Sequence, residues 1–261
     1  MKKNATLVLW AMLPLTILLL ILRFVELSPM GFDPVTGITL HNIWNILPPV
    51  VFLAAALLAF LLTGKLPKEK RPFREAFAVP GSGETMCAVL GGLLMAAGGA
   101  YSAVTFVAEE GGIIAVVTGA LSALSGLSVI LMVRSIRRED KELSVAPLLP
   151  VLFFTVFLAL MAYLPAGTDP ILSRYWLRVL AAALLACSFS LLAGFFKKES
   201  SPRLFVPVAV LSAVCAVCAI PGLSLHMVGM YAGMALVILA FVLPCLRGGA
   251  EPVHDDGQEE P

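Results

Sequence analysis

Charge is what this sequence most lacks. Only 13% of its 261 residues are Asp, Glu, Lys or Arg, against about 25% in soluble domains. Roughly half the usual charge is missing, and 59% of the residues are hydrophobic. Such a chain cannot dress a water-facing surface, which excludes an ordinary soluble enzyme, and it is too apolar for a disordered protein. A net charge of +1 excludes nucleic-acid binding through a basic molecular surface. Histidine is scarce as well, with His41, His226 and His254 the whole complement. An all-α polytopic membrane protein is the class that remains.

What is present is a series of long apolar runs. A helix needs about 20 apolar residues to cross a hydrocarbon core of ~30 Å. Eight runs approach or exceed that length, at residues 6–25, 43–63, 85–107, 113–133, 146–164, 177–196, 204–220 and 225–246. None contains Asp or Glu. Pro221-Gly222 separates the last two, so they read as a hairpin and not as one long helix. The basic residues then fall on alternate sides. Fifteen of the 18 lie in the termini and even-numbered loops, leaving Arg23, Arg174 and Arg178 opposite. That bias predicts a bundle over residues 1–247 with both termini cytoplasmic. Residues 248–261 form an acidic tail expected to be disordered.

Lys2 and Lys3 before the first run resemble the start of a signal peptide. The run is longer than the usual h-region of about 7–15 residues, and Arg23-Phe24-Val25-Glu26 offers no small-residue cleavage site, so an uncleaved helix is expected. Cys87, Cys187, Cys215, Cys218 and Cys245 all map to spans or cytoplasmic ends, where no extracellular disulfide forms. The heptapeptide LAAALLA occurs at residues 53–59 and again at 180–186, which admits a parallel four-plus-four repeat or chance in a chain rich in Ala and Leu.

After the first run comes Phe32-Asp33-Pro34-Val35-Thr36-Gly37, where Asp33 can close an Asx-turn, Pro34 presets one dihedral and Gly37 tolerates positive φ. This segment resembles an uncharacterised family of small eight-span membrane proteins of Gram-positive bacteria, which carry a similar Asp-Pro-x-Thr-Gly turn after the first helix. The resemblance implies a bacterial plasma membrane and brings no activity with it.

Chemical motifs are few. Cys215 and Cys218 have C-x-x-C spacing but lie mid-span, without a nearby basic group to lower a thiol pKa or further ligands for a metal. His41 and His226 share the outer side without the spacing of a zinc site. Glu109-Glu110 resembles the acidic pair of CAAX-type proteases but lacks the Arg in register and the partner His, and no span carries a His deep enough to serve a buried serine nucleophile. No enzyme, metal or cofactor is expected.

Other residues suggest working surfaces. Gly91, Gly92, Gly98 and Gly99 repeat at seven-residue spacing, and Ser122 and Gly126 form a small-x-x-x-small pair on the next run, flanked by Gly119 and Ser128; such faces let helix backbones approach closely, as packing surfaces or as a sliding surface or narrow pathway. Asn45 precedes Pro48-Pro49, which should kink the outer part of the second helix. Arg174 and Arg178 stand four apart on one helix face. They either snorkel to lipid phosphates, or Arg178 turns inward to Glu26, Asp33, Glu109 or Glu110 and lines an outer polar vestibule with Asn45 and His226. On the inner side Arg71, Phe73, Arg74 and Phe77 read as a short interfacial helix for anionic lipid or for a cytoplasmic partner such as a transport ATPase or another membrane subunit. The resulting expectation is a transporter-like membrane protein, with a non-transporting accessory or scaffolding protein as the rival. The lipid bilayer is the partner common to both, and nucleic acid is expected in neither. The missing intramembrane carboxylates argue against ion coupling.

Overall fold

The structure is a computed structural model that describes residues 2–31, 33, 42–64, 66–77, 80–108, 112–138, 145–168 and 172–248. Among these residues the regular structure is all helix: α1 (Lys2–Glu26), α2 (Ile43–Thr63), the short α3 (Phe73–Ala76), α4 (Ser82–Ala108), α5 (Gly112–Arg137), α6 (Leu148–Thr168), α7 (Leu172–Phe196), α8 (Pro202–Ala219) and α9 (Leu225–Gly248). Each expected apolar run has its own long helix. Most run a few residues past the apolar stretch, because a hydrogen-bonded backbone continues through polar residues until a cap or breaker stops it.

Among the described residues six helices, α2, α4, α5, α7, α8 and α9, are long and apolar enough to cross a membrane. Outward faces are apolar: Leu53, Leu57 and Leu61 on α2, Leu90 and Leu93 on α4, and Leu124, Leu127 and Leu131 on α5 are all exposed. Apolar faces of this extent are not left to water. The chain is a multi-pass membrane protein.

Burial identifies the centre. Within its apolar window 78% of α8 and 67% of α9 is buried, against 28% for α2 and α5. Neighbouring helices form a closed circuit, α4 to α5, α6, α7, α8 and α9 and back to α4, while α1 and α2 pack on each other and on α8. The repeat is not expressed in this packing. α7 packs on α8, whereas α2, its counterpart, packs on α8 and not on α4. The shared heptapeptide is also used on different faces: Ala55 and Ala59, its third and seventh residues, are buried in α2, but the second, third and sixth, Ala181, Ala182 and Leu185, in α7.

Glycine sets the closest approach, as the spacing predicted. One edge of α4 meets α5, where a Cβ on Gly92 would lie 2.7 Å from the carbonyl oxygen of Gly126 and one on Gly119 would lie 2.5 Å from that of Gly99. The adjacent edge meets α9, where Gly91 and Gly233 would each meet the other's carbonyl at 2.6 Å. Two neighbouring glycines thus serve two different helices. Ser122 Oγ locks the first contact by donating to the carbonyl of Met95 at 2.8 Å, and Ser125 Oγ joins α5 to α6 through the carbonyl of Pro150 at 3.0 Å.

Two turns complete the frame. Between α8 and α9, the Leu223 amide donates to the Ile220 carbonyl at 3.0 Å, with Pro221 at the second position and Gly222 at φ 77° in the third, the pattern of a type II turn. After α7, the amides of Glu199 and Lys198 donate to the carbonyls of Gly194 and Phe195, a Schellman closure. Lys198 occupies the left-handed position at φ 58°, where glycine is usual. α2, by contrast, runs unbroken from Ile43 to Thr63 through Pro48-Pro49.

Candidate functional site

One end of the bundle collects polar groups from α1, α2, α7 and the α8–α9 turn. Arg23 lies in the last turn of α1 and is 1% exposed, and Glu26, 4% exposed, closes that helix. Arg23 Nη1 donates to Glu26 Oε2 at 2.7 Å. The other carboxylate oxygen accepts from Trp176 Nε1 at 3.1 Å. A spacing of three residues on a helix puts the two charges on one face, and α7 supplies the indole that finishes the carboxylate's coordination. A buried carboxylate persists only when its hydrogen-bonding capacity is met in this way.

Arg178, two residues further along α7, donates from Nη2 to the Gly222 carbonyl at 2.9 Å, and the phenol of Tyr231 donates to the backbone carbonyl of Arg178 at 3.4 Å. Arg178 therefore clamps the start of α9 to α7. The charge buried against Glu26 is Arg23, a residue the sequence had placed with the outer-side cations. An available signal was its position: Arg23 is the one charge inside the first apolar run, three residues before Glu26, and an ionisable group in such a run is a candidate by default.

Asn45 belongs to the same end but its amide is spent on structure, donating to the Gly31 carbonyl at 2.7 Å. Asn42 caps α2 by accepting from the Trp44 amide at 3.1 Å and donates to the Met30 carbonyl at 2.5 Å. Together they tie residues 30–31 to the start of α2. His226 lies in the first turn of α9, 3.2 Å from Ser224 Oγ. Asp33 is half-buried. Glu109, Glu110 and His41 lie outside the described residues, and Arg174 is described only as backbone in the first turn of α7.

The opposite end corrects the expectation for Phe73 and Phe77. Both phenylalanines turn inward against the chain's own helices. Both are 6% exposed, with Ala76 between them fully buried. Their rings stack at 4.4 Å, and Phe77 meets Phe195, Phe205 and Phe241 edge-on at 5.0, 5.7 and 6.3 Å. Phe73 stacks on Phe196 at 4.8 Å. Phe73, Ala76 and Phe77 thus form a plug against α7, α8 and α9. Arg71 anchors it, its amide donating to the Ser200 carbonyl at 3.2 Å and its buried guanidinium lying 3.6 Å from exposed Glu69. Arg74 and Glu75 face outward. Nearby, Arg247 of α9 pairs with Glu84 of α4.

Between the two ends, six buried hydroxyls are satisfied internally, whereas Thr85 Oγ1 in the first turn of α4 has no partner among the described residues. Thr118, Ser122, Ser125, Thr155, Ser188 and Ser212 each donate to a backbone carbonyl or a neighbouring hydroxyl, and Ser188 and Ser212 meet at 3.0 Å. Cys215 and Cys218 are free and buried, with Cys218 Sγ 3.7 Å from the Thr16 carbonyl. Among the described residues no cluster of three His, Cys, Asp or Glu side chains is placed to hold a metal. A crevice of about 300 Å³ between α1 and the α8–α9 pair is lined by Met12, Leu13, Thr16, Val210, Val214 and Leu239 among others, and the hydroxyl of Thr16 is committed to the Met12 carbonyl at 2.7 Å. Comparison with protein-family models, with curated proteins and with solved structures finds no match.

Proposed function

We propose that this chain is a non-enzymatic accessory or scaffolding protein of a bacterial plasma membrane. In this reading α1 and α6 also span, for eight crossings. Both termini are cytoplasmic, on the side of the Phe77 plug. The basic asymmetry supports that orientation; the likeness of the turn after α1 to an eight-span family of Gram-positive bacteria supports the location. The observation that carries the accessory reading is the state of the core hydroxyls. Their donors are taken by the chain itself, and the small-residue faces that could have bounded a pathway are closed backbone to backbone. A polar solute crossing the membrane would need those groups free.

A transporter-like role, with an ATPase or a further membrane subunit as partner, has one observation in its favour: Arg23 and Glu26 are charged groups inside the bundle, as translocation pathways require. Labelling separates the two. Single cysteines at Ser122 and Ser188, in a chain whose five native cysteines are replaced, should resist a membrane-impermeant maleimide in intact cells and in inverted vesicles. Labelling from either side would mean a water-filled route and would sink the accessory reading. The orientation is tested by reporter fusions: one at Thr36 should be active outside the cell and one at Gly249 inside, and the reverse pattern would overturn it.

A further inference from the structure

At the Phe77 end, a cavity of about 380 Å³ opens between the end of α2 and the start of α8, lined by Phe60, Lys68, Ser201, Arg203 and Leu204. Lys68 and Arg203 converge on it from separate elements, the loop after α2 and the first turn of α8. Among the described residues neither enters an ion pair. Ser201 is the N-cap residue of α8, yet its side chain makes no capping bond, which leaves the hydroxyl available. The N-terminal end of this 18-residue helix adds its partial positive charge in the same place. Phe60 and Leu204 are 46% and 48% exposed and give the cavity an apolar wall at the lipid boundary.

Two uncommitted cations, a free hydroxyl and a helix N-terminus favour an oxyanion, and the apolar wall favours one that carries acyl chains. Basic pockets between membrane helices at the headgroup level hold anionic lipids on this principle. We propose that this cavity is a binding site for the phosphate of an anionic phospholipid, with Lys68 and Arg203 as its charge contacts, Ser201 as its hydrogen-bond donor, and Phe60 and Leu204 packing on the first carbons of the chains. A soluble phosphate shares the headgroup chemistry but gains nothing from the apolar wall. The site stands whichever role the protein has, because it requires only that the bundle be embedded in lipid.

The test uses the full chain in detergent, with phosphatidylglycerol, phosphatidylcholine and inorganic phosphate as separate additions, read by native mass spectrometry and by the thermal midpoint. Phosphatidylglycerol should remain bound and raise the midpoint; neither phosphatidylcholine nor inorganic phosphate should do so. Lys68→Gln with Arg203→Gln should weaken phosphatidylglycerol binding by roughly thirtyfold, whereas Lys68→Arg with Arg203→Lys should keep it. If the neutral double variant fails to fold, Lys68→Gln alone, in an exposed loop position, should give a loss of roughly fivefold. Equal retention of the two lipids, an unchanged affinity in the neutral variant, or stabilisation by inorganic phosphate equal to that by the lipid would each overturn the proposal.

Discussion

Placing one methyl group at Gly92 tests the packing of α4 against α5. The new Cβ would lie 2.7 Å from the Gly126 carbonyl and 2.9 Å from Ile130 Cγ1, about 0.7 Å inside the 3.4 Å at which ordinary contact begins. A backbone carbonyl cannot swing aside, so α5 must retreat by a similar distance. That retreat stretches the Ser122–Met95 hydrogen bond from 2.8 Å towards the limit of useful geometry, a loss of about 1 kcal/mol. The misfit itself costs roughly 1–3 kcal/mol. Alanine's better helix propensity returns about 1 kcal/mol, so Gly92→Ala should destabilise the protein by roughly 1–3 kcal/mol. Gly83, in the first turn of the same helix, has nothing within 4 Å of its would-be Cβ. There the same substitution should be neutral or stabilise by up to about 1 kcal/mol. Equilibrium unfolding in mixed micelles would measure both. Should Gly92→Ala prove as stable as Gly83→Ala, the α4–α5 approach is looser than described and the argument fails.

The remaining expectations concern the two ends of the bundle. Phe77→Ala should cost about 3–5 kcal/mol in the same unfolding assay, because the ring sits among four others; a loss below about 1 kcal/mol would return Phe77 to the surface. Lys198→Gly should stabilise by roughly 1 kcal/mol, since only the left-handed strain is removed, and a destabilised variant would show that the lysine side chain matters there. Glu26→Gln should cost about 3–5 kcal/mol by leaving a buried guanidinium uncompensated, whereas Arg23→Met with Glu26→Leu should restore most of it. If the double variant is as unstable as the single one, the pair is required for more than its own neutralisation.

Much of the fold was legible because the relevant physics is local and one-dimensional. Runs of apolar residues bounded by Lys, Gly or Pro report the helices directly, since a backbone crossing lipid must satisfy its own hydrogen bonds. The small residues of α4 and α5 were equally readable: seven-residue spacing marks a face, and a connection of three residues, 109–111, makes the two helices neighbours. What spacing alone did not show is that Gly91 and Gly92 face different partners. Adjacent residues on a helix point about 100° apart, so a pair of glycines every seven residues implies two faces. The second face belongs to α9, far away in sequence.

The site was harder to read for a reason visible in Phe73, Phe77 and Arg23. An aromatic pair among basic residues is the pattern of a membrane-surface helix, but the same pattern arises when a short segment folds back and buries its aromatic side while Arg74 and Glu75 stay outside. Only tertiary structure tells which surface the aromatic side meets, because the hydrophobic term is non-directional and accepts lipid or protein alike. Arg23 poses the converse problem. Counted as a loop charge it supports the orientation; as a buried charge it needs a partner, and Glu26 stands one turn away. Trp176, some 150 residues further on, completes that pair and has no counterpart in local sequence. The two ends therefore differ in kind. The Phe77 end is closed by apolar packing that any ring of suitable volume could approximate, whereas the Glu26 end is closed by directional bonds that do not survive the loss of one partner alone. A single substitution that preserves volume should be mild at the first and severe at the second, which makes the buried pair the place where sequence and fold are most tightly coupled.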